Sequence, residues 1–315
     1  MSDLVPRSGS AQAGPLGRAF SDQSDLIELY LLRFDRPNTR RAYARDLESF
    51  FGTPVVTLEL AHEVTFPHVN AFIAELETQN KAPATIRRRV TAVRGFFAWL
   101  VALGFLQLNP ADRQLVRRVT LDRPQDRVLT VLTKAQARQL VDSVDLDKET
   151  GFRDQALILT LLHCVLRRSE AASMDFEHIR RAGAYWVLEL PRTKGGANQT
   201  VKMPASIAEV LLELKSIYGF TTGPIWRSFS RNSKGRRLSG TSIYNIVNRH
   251  AKQAGIHDTV GAHTLRHTGC TLAIEAGASV QQVQTHARHK NLETTMLYVH
   301  QRDRLADSAA DYIDF

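Results

Sequence analysis

Residues 83–101 read PATIRRRVTAVRGFFAWLV, and the spacing of their apolar side chains decides the architecture of the first third of the chain. Ile86, Val90, Val93, Phe97, Leu100 and Val101 fall on one stripe, the pattern of a helix that buries one side. Pro83 suits a first helical turn, because the N–H it lacks is one that a helix start leaves unpaired. The other face carries Arg87, Arg88, Arg89 and Arg94, which must meet solvent or an anion. The stretch therefore predicts a helical bundle with one basic side.

Working outward, the same period recurs upstream. A helix from Asn38 or Thr39 carries Tyr43, Leu47, Phe50 and Phe51 on one face, and a second from Pro67 carries Val69, Phe72, Ile73 and Leu76. Residues 21–107 are read as one helical domain. Residues 1–20, rich in Gly, Ser, Ala and Pro, have the composition of a disordered tail. Downstream, residues 108–131 break the pattern with two prolines and with Arg113, Arg117, Arg118, Arg123 and Arg127. They read as a basic interdomain linker, either lying along a phosphate backbone or merely solvated.

A second domain is read over residues 132–315. Thr133 and Gln136 have capping-box spacing, and helices are expected near 133–143, 152–163, 168–173, 205–217, 240–254, 263–276, 279–287, 291–299 and 303–313. Tyr185, Val187 and Glu189 alternate with Trp186, Leu188 and Leu190, and residues 199–204 return after a turn at Gly195-Gly196. The expected fold is mainly α, with a small antiparallel β-sheet in the second domain.

At 315 residues the chain is long for one core and suits two domains. Its formal charge of +9, from 41 Lys+Arg against 32 Asp+Glu, suits a polyanionic partner such as nucleic acid. Cys164 and Cys270 form no CxxC pair, which argues against a disulfide framework and for a reducing, cytoplasmic setting. The apolar run Ala156–Leu166 is too short to span a membrane, and the N-terminus lacks a signal pattern.

Residues 263–267, HTLRH, raise the question of chemistry. Two histidines four apart share a helix face, as in zinc motifs, but Thr264 stands where a metalloprotease needs Glu. His286, His289 and His300 are the histidines that could complete a zinc site. Phosphate fits Arg266 better, because its planar fork of donors matches phosphate oxygens. His263, one turn earlier, titrates near neutrality and can move a proton. A capping histidine beside a surface arginine would look the same. The surrounding segments narrow the choice. LHCVLRRSEA places Arg167, Arg168 and Glu170 at the end of an apolar helix, where charge needs a partner or a ligand. Lys194 sits at the hairpin tip, and HARHKNLETTMLYVH supplies His289 and Tyr298.

This ordered set resembles the tyrosine recombinase (phage integrase) family, in particular its Xer-like site-specific recombinases, from about residue 22 to the end. The family's first arginine box, T-G-L-R-x-S-E-L, stands here as CVLRRSEA. H-x-L-R-H is HTLRH, L-G-H is ARH, and T-T-x-x-Y-x-H is TTMLYVH. The resemblance implies a SAM-like core-binding domain followed by a catalytic domain. It also implies catalytic Arg167, Lys194, His263, Arg266, His289 and Tyr298, with Glu170 in support. Val165 and Arg288 replace the glycines of the first and third of these boxes.

The implied reaction needs no ATP, cofactor or metal. Tyr298 attacks a DNA phosphorus to give a 3′-phosphotyrosine and a 5′-hydroxyl. Arg167 and Arg266 grip the nonbridging oxygens, His263 accepts the phenol proton, Lys194 protonates the leaving oxygen, and His289 bonds the phosphate. The sequence holds no carboxylate cluster of the kind that binds Mg²⁺, and arginines take that place. The two domains are expected to clamp double-stranded DNA. A major-groove helix would present Arg236, Arg237, Ser239, Thr241, Ser242 and Asn245, with Arg87, Arg88, Arg89, Arg117 and Arg118 as further contacts. The tail after Tyr298, with Leu305, Ala309, Ile313 and Phe315, is expected to dock on a neighbouring subunit in a tetramer on two DNA sites, the protein being a monomer without DNA. An accessory recombinase or DNA-bending protein is left open as a partner. The alternatives are a type IB topoisomerase-like DNA-relaxing enzyme and a non-cleaving DNA-binding protein.

Overall fold

The computed structural model describes residues 25–120, 130–190 and 199–299, with residues 297–299 given by their backbone alone. The chain divides into two compact units at Asp122–Arg123, each with its own apolar core.

The described part of the first unit holds helices α1 (Leu26–Leu31), α2 (Pro37–Phe51), α3 (Leu58–Glu63), α4 (Phe66–Thr78) and α5 (Pro83–Ala102). The apolar stripe of α5 buries Ile86, Val90, Val93, Phe96, Phe97 and Leu100 against Leu47 of α2 and Val69, Phe72, Ile73 and Leu76 of α4. The six-residue helices α1 and α3 are too short to show a period. Their starts are nonetheless set locally: Asp25 accepts from the Ile27 N–H at 3.0 Å and Thr57 from the Leu60 N–H at 3.3 Å.

Part of the segment expected as a linker over 108–131 packs on the first unit. Ala111 and Val116 are buried in the core of the first unit. Arg94 Nε donates to the Ala111 carbonyl at 2.7 Å, and Asn109 Nδ2 donates to the Arg94 carbonyl at 3.1 Å. Two isolated apolar residues among prolines and arginines carry no periodicity, so only packing reveals this segment as part of the domain. Residues 121–129 of the linker and the tail 1–20 lie outside the described residues.

The described part of the second unit holds α6 (Lys134–Asp142), α7 (Gly151–Cys164), α8 (Arg168–Ala172), β1 (Ile179–Ala182), β2 (Tyr185–Leu190), β3 (Gln199–Met203), α9 (Ala205–Ile217), α10 (Gly240–Gln253), α11 (Ala262–Glu275), α12 (Val280–Ala287) and α13 (Leu292–Val299). The sheet is antiparallel in the order β1-β2-β3, with Leu188 opposite Ile179 and Val201. Leu188, Leu190, Val201 and Met203 face the core. The alternation in residues 185–190 predicts β2. β1, with sequence IRRA, is mostly exposed and has no apolar alternation, so pairing alone makes it a strand.

α7 and α11 cross closely, and this crossing brings the arginine boxes together. Gly269 on α11 makes it possible: a Cβ there would collide with the Leu162 carbonyl oxygen and stand 2.8 Å from Val165 Cγ1. Backbone cannot yield as a flexible side chain does. Gly269→Ala is therefore expected to lower stability by about 1–3 kcal/mol, read as a fall in the urea midpoint at constant slope. An unchanged midpoint would mean that the helices do not touch at this point.

Candidate active site

α7 buries Ala156, Leu157, Ile158, Leu161 and Cys164 and ends at Val165, whose φ of 42° and ψ of 46° are left-handed. A β-branched residue is ill suited to that region, at roughly 1–2 kcal/mol. The turn delivers Arg167 as the N-cap of α8. Glu170, one turn on, accepts from the Arg167 backbone N–H at 2.7 Å through Oε2 and from Arg167 Nη1 at 2.6 Å through Oε1. Arg167 Nη2 donates to the Arg288 carbonyl at 3.2 Å.

α12 ends in the same way, at Arg288 with φ 57° and ψ 45°. Both positions where the family pattern has glycine are thus left-handed here, and a valine and an arginine occupy them. The Arg288 side chain turns inward and is 5% exposed. It donates from Nη2 to Glu170 Oε2 at 2.7 Å and from Nη1 to the His286 carbonyl at 2.8 Å.

Arg266 lies on α11 and is 2% exposed. Its Nη1 donates to the Val165 carbonyl and its Nη2 to the Ala287 carbonyl, so one guanidinium holds both left-handed turns. Arg266 and Arg167 bond the successive carbonyls of Ala287 and Arg288, which makes the two arginines neighbours. Burial and the charges of Arg167 and Arg288 push the Arg266 pKa down to about 10, so it remains a cation at neutral pH. Burial alone would raise the Glu170 pKa, but the charge of Arg288 and the bonds from Arg167 outweigh it and hold the carboxyl below its ordinary value. Three guanidiniums around one carboxylate leave net positive charge, the condition for an anion site.

The histidines complete the cradle. His289 Nδ1 lies 2.9 Å from Oγ1 of the buried Thr295 on α13, which orients the ring. His263 and His267 meet edge to face with centroids 4.6 Å apart. Burial and the nearby Arg266 and Arg167 push His289 down to about 4. Burial, His263 and Arg266 do the same to His267. Partial burial and the charges of Arg266, Arg167 and Arg168 lower His263. At neutral pH these rings are uncharged and can exchange protons or hydrogen bonds with an anion.

A stability consequence follows from the depressed values. Between about pH 6.5 and 4 the unfolded chain protonates His267 and His289 while the folded one keeps them neutral. Stability present above pH 6.5 is therefore lost as pH falls through that window. The thermal midpoint is expected to drop there, and a His267→Gln/His289→Gln double variant should show a shallower drop. A double variant with an equally steep profile would show that other groups carry the effect.

The remaining expected residues are distributed unevenly. Tyr298 lies on α13, which packs on α11 and α12, but its side chain is outside the described residues. So are Lys194, the Gly195-Gly196 turn, His300 and the tail bearing Leu305, Ala309, Ile313 and Phe315. On α10, Thr241 and Asn245 are exposed one turn apart, and Arg236 is exposed before the helix. Arg237 is engaged in structure: it donates to the carbonyls of Ala172 and Met174, each at 3.1 Å, and to Asp175 at 2.5 Å. Ser239 is the N-cap of α10, accepting from the Ser242 N–H at 3.0 Å. In the first unit Arg87 and Arg118 are exposed. Arg88 pairs with the buried Asp46, Arg89 donates to Ser49 at 2.9 Å, and Arg117 pairs with Glu77 at 2.5 Å. Part of the basic surface is thus partly committed to intramolecular contacts.

Sequence reasoning missed two contributors, Arg288 and Thr295. Arg288 looked like a departure from a glycine box. Thr295 was visible as the second threonine of TTMLYVH, but its bond to His289 was not. Among the described residues, no group of three or more His, Cys, Asp or Glu is placed to hold a metal, and no helix is long and apolar enough to cross a membrane.

Comparison with known proteins identifies the family. The profile described as Phage integrase family matches residues 130–304, and that of the Phage integrase N-terminal SAM-like domain matches residues 27–104. The chain is 30% identical over 285 residues to the tyrosine recombinase XerC of Thermodesulfovibrio yellowstonii, covering 87% of this chain and 89% of that protein. It is 30% identical over 292 residues to that of Corynebacterium efficiens, covering 90% and 86%. Its fold is similar to that of the XerH site-specific recombinase bound to difH substrate in a pre-cleavage complex, with a TM-score of 0.63, 20% identity and coverage of 85% of this chain and 79% of that one. It is also similar to a lambda integrase dimer bound to a COC′ core site, with a TM-score of 0.68, 18% identity and coverage of 90% and 95%.

Proposed function

This chain belongs to the phage integrase family and is a tyrosine recombinase, and from that premise we propose that Arg167, Lys194, His263, Arg266, His289 and Tyr298 carry its DNA cleavage and rejoining, with Glu170 in support. The observation that carries the assignment is the meeting of Arg167 and Arg266, remote in sequence, on the consecutive carbonyls of Ala287 and Arg288.

The substrate is double-stranded DNA. The Tyr298 phenol oxygen forms a bond to phosphorus as the bond to the 5′-oxygen breaks, leaving a 3′-phosphotyrosine. The phenol proton passes to neutral His263, and Lys194 protonates the departing 5′-oxygen. Arg167 and Arg266 meet the negative charge that grows on the nonbridging oxygens, and His289 bonds one of them. Such preorganised donors are usually the largest electrostatic term in catalysis. Because the phosphoester energy is kept in the covalent intermediate, a 5′-hydroxyl from a second duplex can reverse the step and join strands in a new arrangement. Four strands call for a tetramer of this chain, two subunits cutting at a time, with assembly in the cytoplasm from monomers on DNA. Thr241, Asn245 and Arg236 around the start of α10, and Arg87 and Arg118 in the first unit, are the exposed residues suited to DNA contact.

The test begins with duplexes carrying a randomised segment. Complexes that survive detergent are recovered and sequenced to define the cleaved site. A nicked duplex of that site should trap the wild-type chain covalently on the 3′ side of the break, and an added 5′-hydroxyl strand should release it as joined DNA. Recovery of no covalent complex would defeat the assignment. Rejoining only the original strand and never a second duplex would point to a DNA-relaxing role.

A further inference from the structure

We propose that Arg288 is a positioning residue of this recombinase, holding Glu170 so that Arg167 is aimed at the scissile phosphate and keeps its charge for the substrate.

The position is unfavourable for an arginine on local grounds. Its backbone is left-handed at φ 57°, where glycine would be at ease. Its side chain is 5% exposed, and its Nε is buried with no hydrogen-bond partner. An orphaned buried donor and a strained backbone are each destabilising, and such outliers point to a function when the surroundings hold them in place.

The contacts show what that function is. Glu170 has two oxygens and three donors. Oε1 accepts from Arg167 Nη1 at 2.6 Å, while Oε2 accepts from Arg288 Nη2 and from the Arg167 backbone N–H, both at 2.7 Å. The carboxylate is thus fixed at both ends and cannot rotate to follow Arg167 alone. Arg288 also ties Glu170 to the end of α12 through the His286 carbonyl, and its own carbonyl takes the second Arg167 nitrogen at 3.2 Å. Arg167 is therefore held from two directions by one residue.

Charge gives a second consequence. With glycine at 288, Glu170 would lose one of its two hydrogen-bonded cations and neutralise more of Arg167. With Arg288 sharing the carboxylate, the guanidinium of Arg167, with its side chain 40% exposed, retains more of its field for an anion. Arg288 acts through Glu170, to which its Nη2 donates, and through Arg167, which its own carbonyl holds.

This inference rests on Arg167 being one of the phosphate-gripping arginines. The test uses the full chain and the selected nicked duplex, comparing wild type, Arg288→Gly, Glu170→Gln, the double variant and Arg167→Ala. Single-turnover cleavage at saturating DNA should fall roughly 10–100-fold in Arg288→Gly, the scale of loss expected from a slightly misplaced catalytic group. Its DNA affinity should stay within about twofold, inside the scatter of a residue that makes no contact. The double variant should be no slower than the slower single variant, because both changes break one linkage. Should Arg288→Gly fail to fold, Arg288→Met, which keeps the bulk without the donors, takes its place in the same cycle. Cleavage by the 288 variant at the wild-type rate, or losses that multiply with those of Glu170→Gln, would overturn the proposal. If Arg167→Ala cleaves normally, the underlying assignment of Arg167 fails instead.

Discussion

Tyr298→Phe is expected to bind the cleaved site as tightly as wild type and to form no covalent complex with it. The change removes one oxygen and leaves the ring. What disappears is the atom that bonds to phosphorus. Removing a nucleophile from a preassembled site typically costs at least ~10⁴-fold, because the remaining groups stabilise a transition state that no longer has an attacking atom. The measurement is denaturing electrophoresis of protein and labelled nicked duplex. A shifted, detergent-resistant band from Tyr298→Phe would place the nucleophile elsewhere.

Arg266→Ala is expected to lose both cleavage and stability, and Arg266→Lys to separate the two. Loss of one preorganised donor to a developing oxyanion costs on the order of 10²–10³-fold. Arg266 has a second task, since it donates to the carbonyls of Val165 and Ala287 at the ends of α7 and α12. Truncation orphans these buried acceptors, at about 1–3 kcal/mol each, against a partial gain from relieving repulsion with Arg167 and Arg288. The bonds should win, because desolvation of the carbonyls is unavoidable while the neighbouring charges keep Glu170. Lysine retains a charge but has no planar fork to span two carbonyls. Arg266→Lys should therefore keep more of its folding midpoint than Arg266→Ala while cleaving slowly, both read on the same preparation. Full cleavage by Arg266→Lys would show that charge alone, without the fork, suffices.

The candidate site was proposed from short local patterns. HTLRH, CVLRRSEA and TTMLYVH each lie on or beside one helix, and the family they resemble implies the reaction without coordinates. The intramolecular partners of the arginines were not legible. Arg88, Arg117 and Arg237 look identical in sequence to Arg87 and Arg118, yet the first three are taken up by Asp46, Glu77 and the end of α8. An arginine's sequence position does not reveal whether a carboxylate from another helix has already claimed it.

Helix periods and caps determined that the chain is mainly α, and the family that its ordered boxes resemble implied DNA chemistry at a tyrosine. These are short-range features, set by which side chains share a helix face and which residues tolerate a helix start. The tertiary structure alone decided that Val165 and Arg288 occupy left-handed turns where glycine was expected, that the buried Arg266 bonds both turns, and that Thr295 meets His289. The physical reason is separation along the chain: Arg288 and Glu170 stand 118 positions apart. Only the packing of α7, α11 and α12, made close by Gly269, brings such groups within hydrogen-bonding distance.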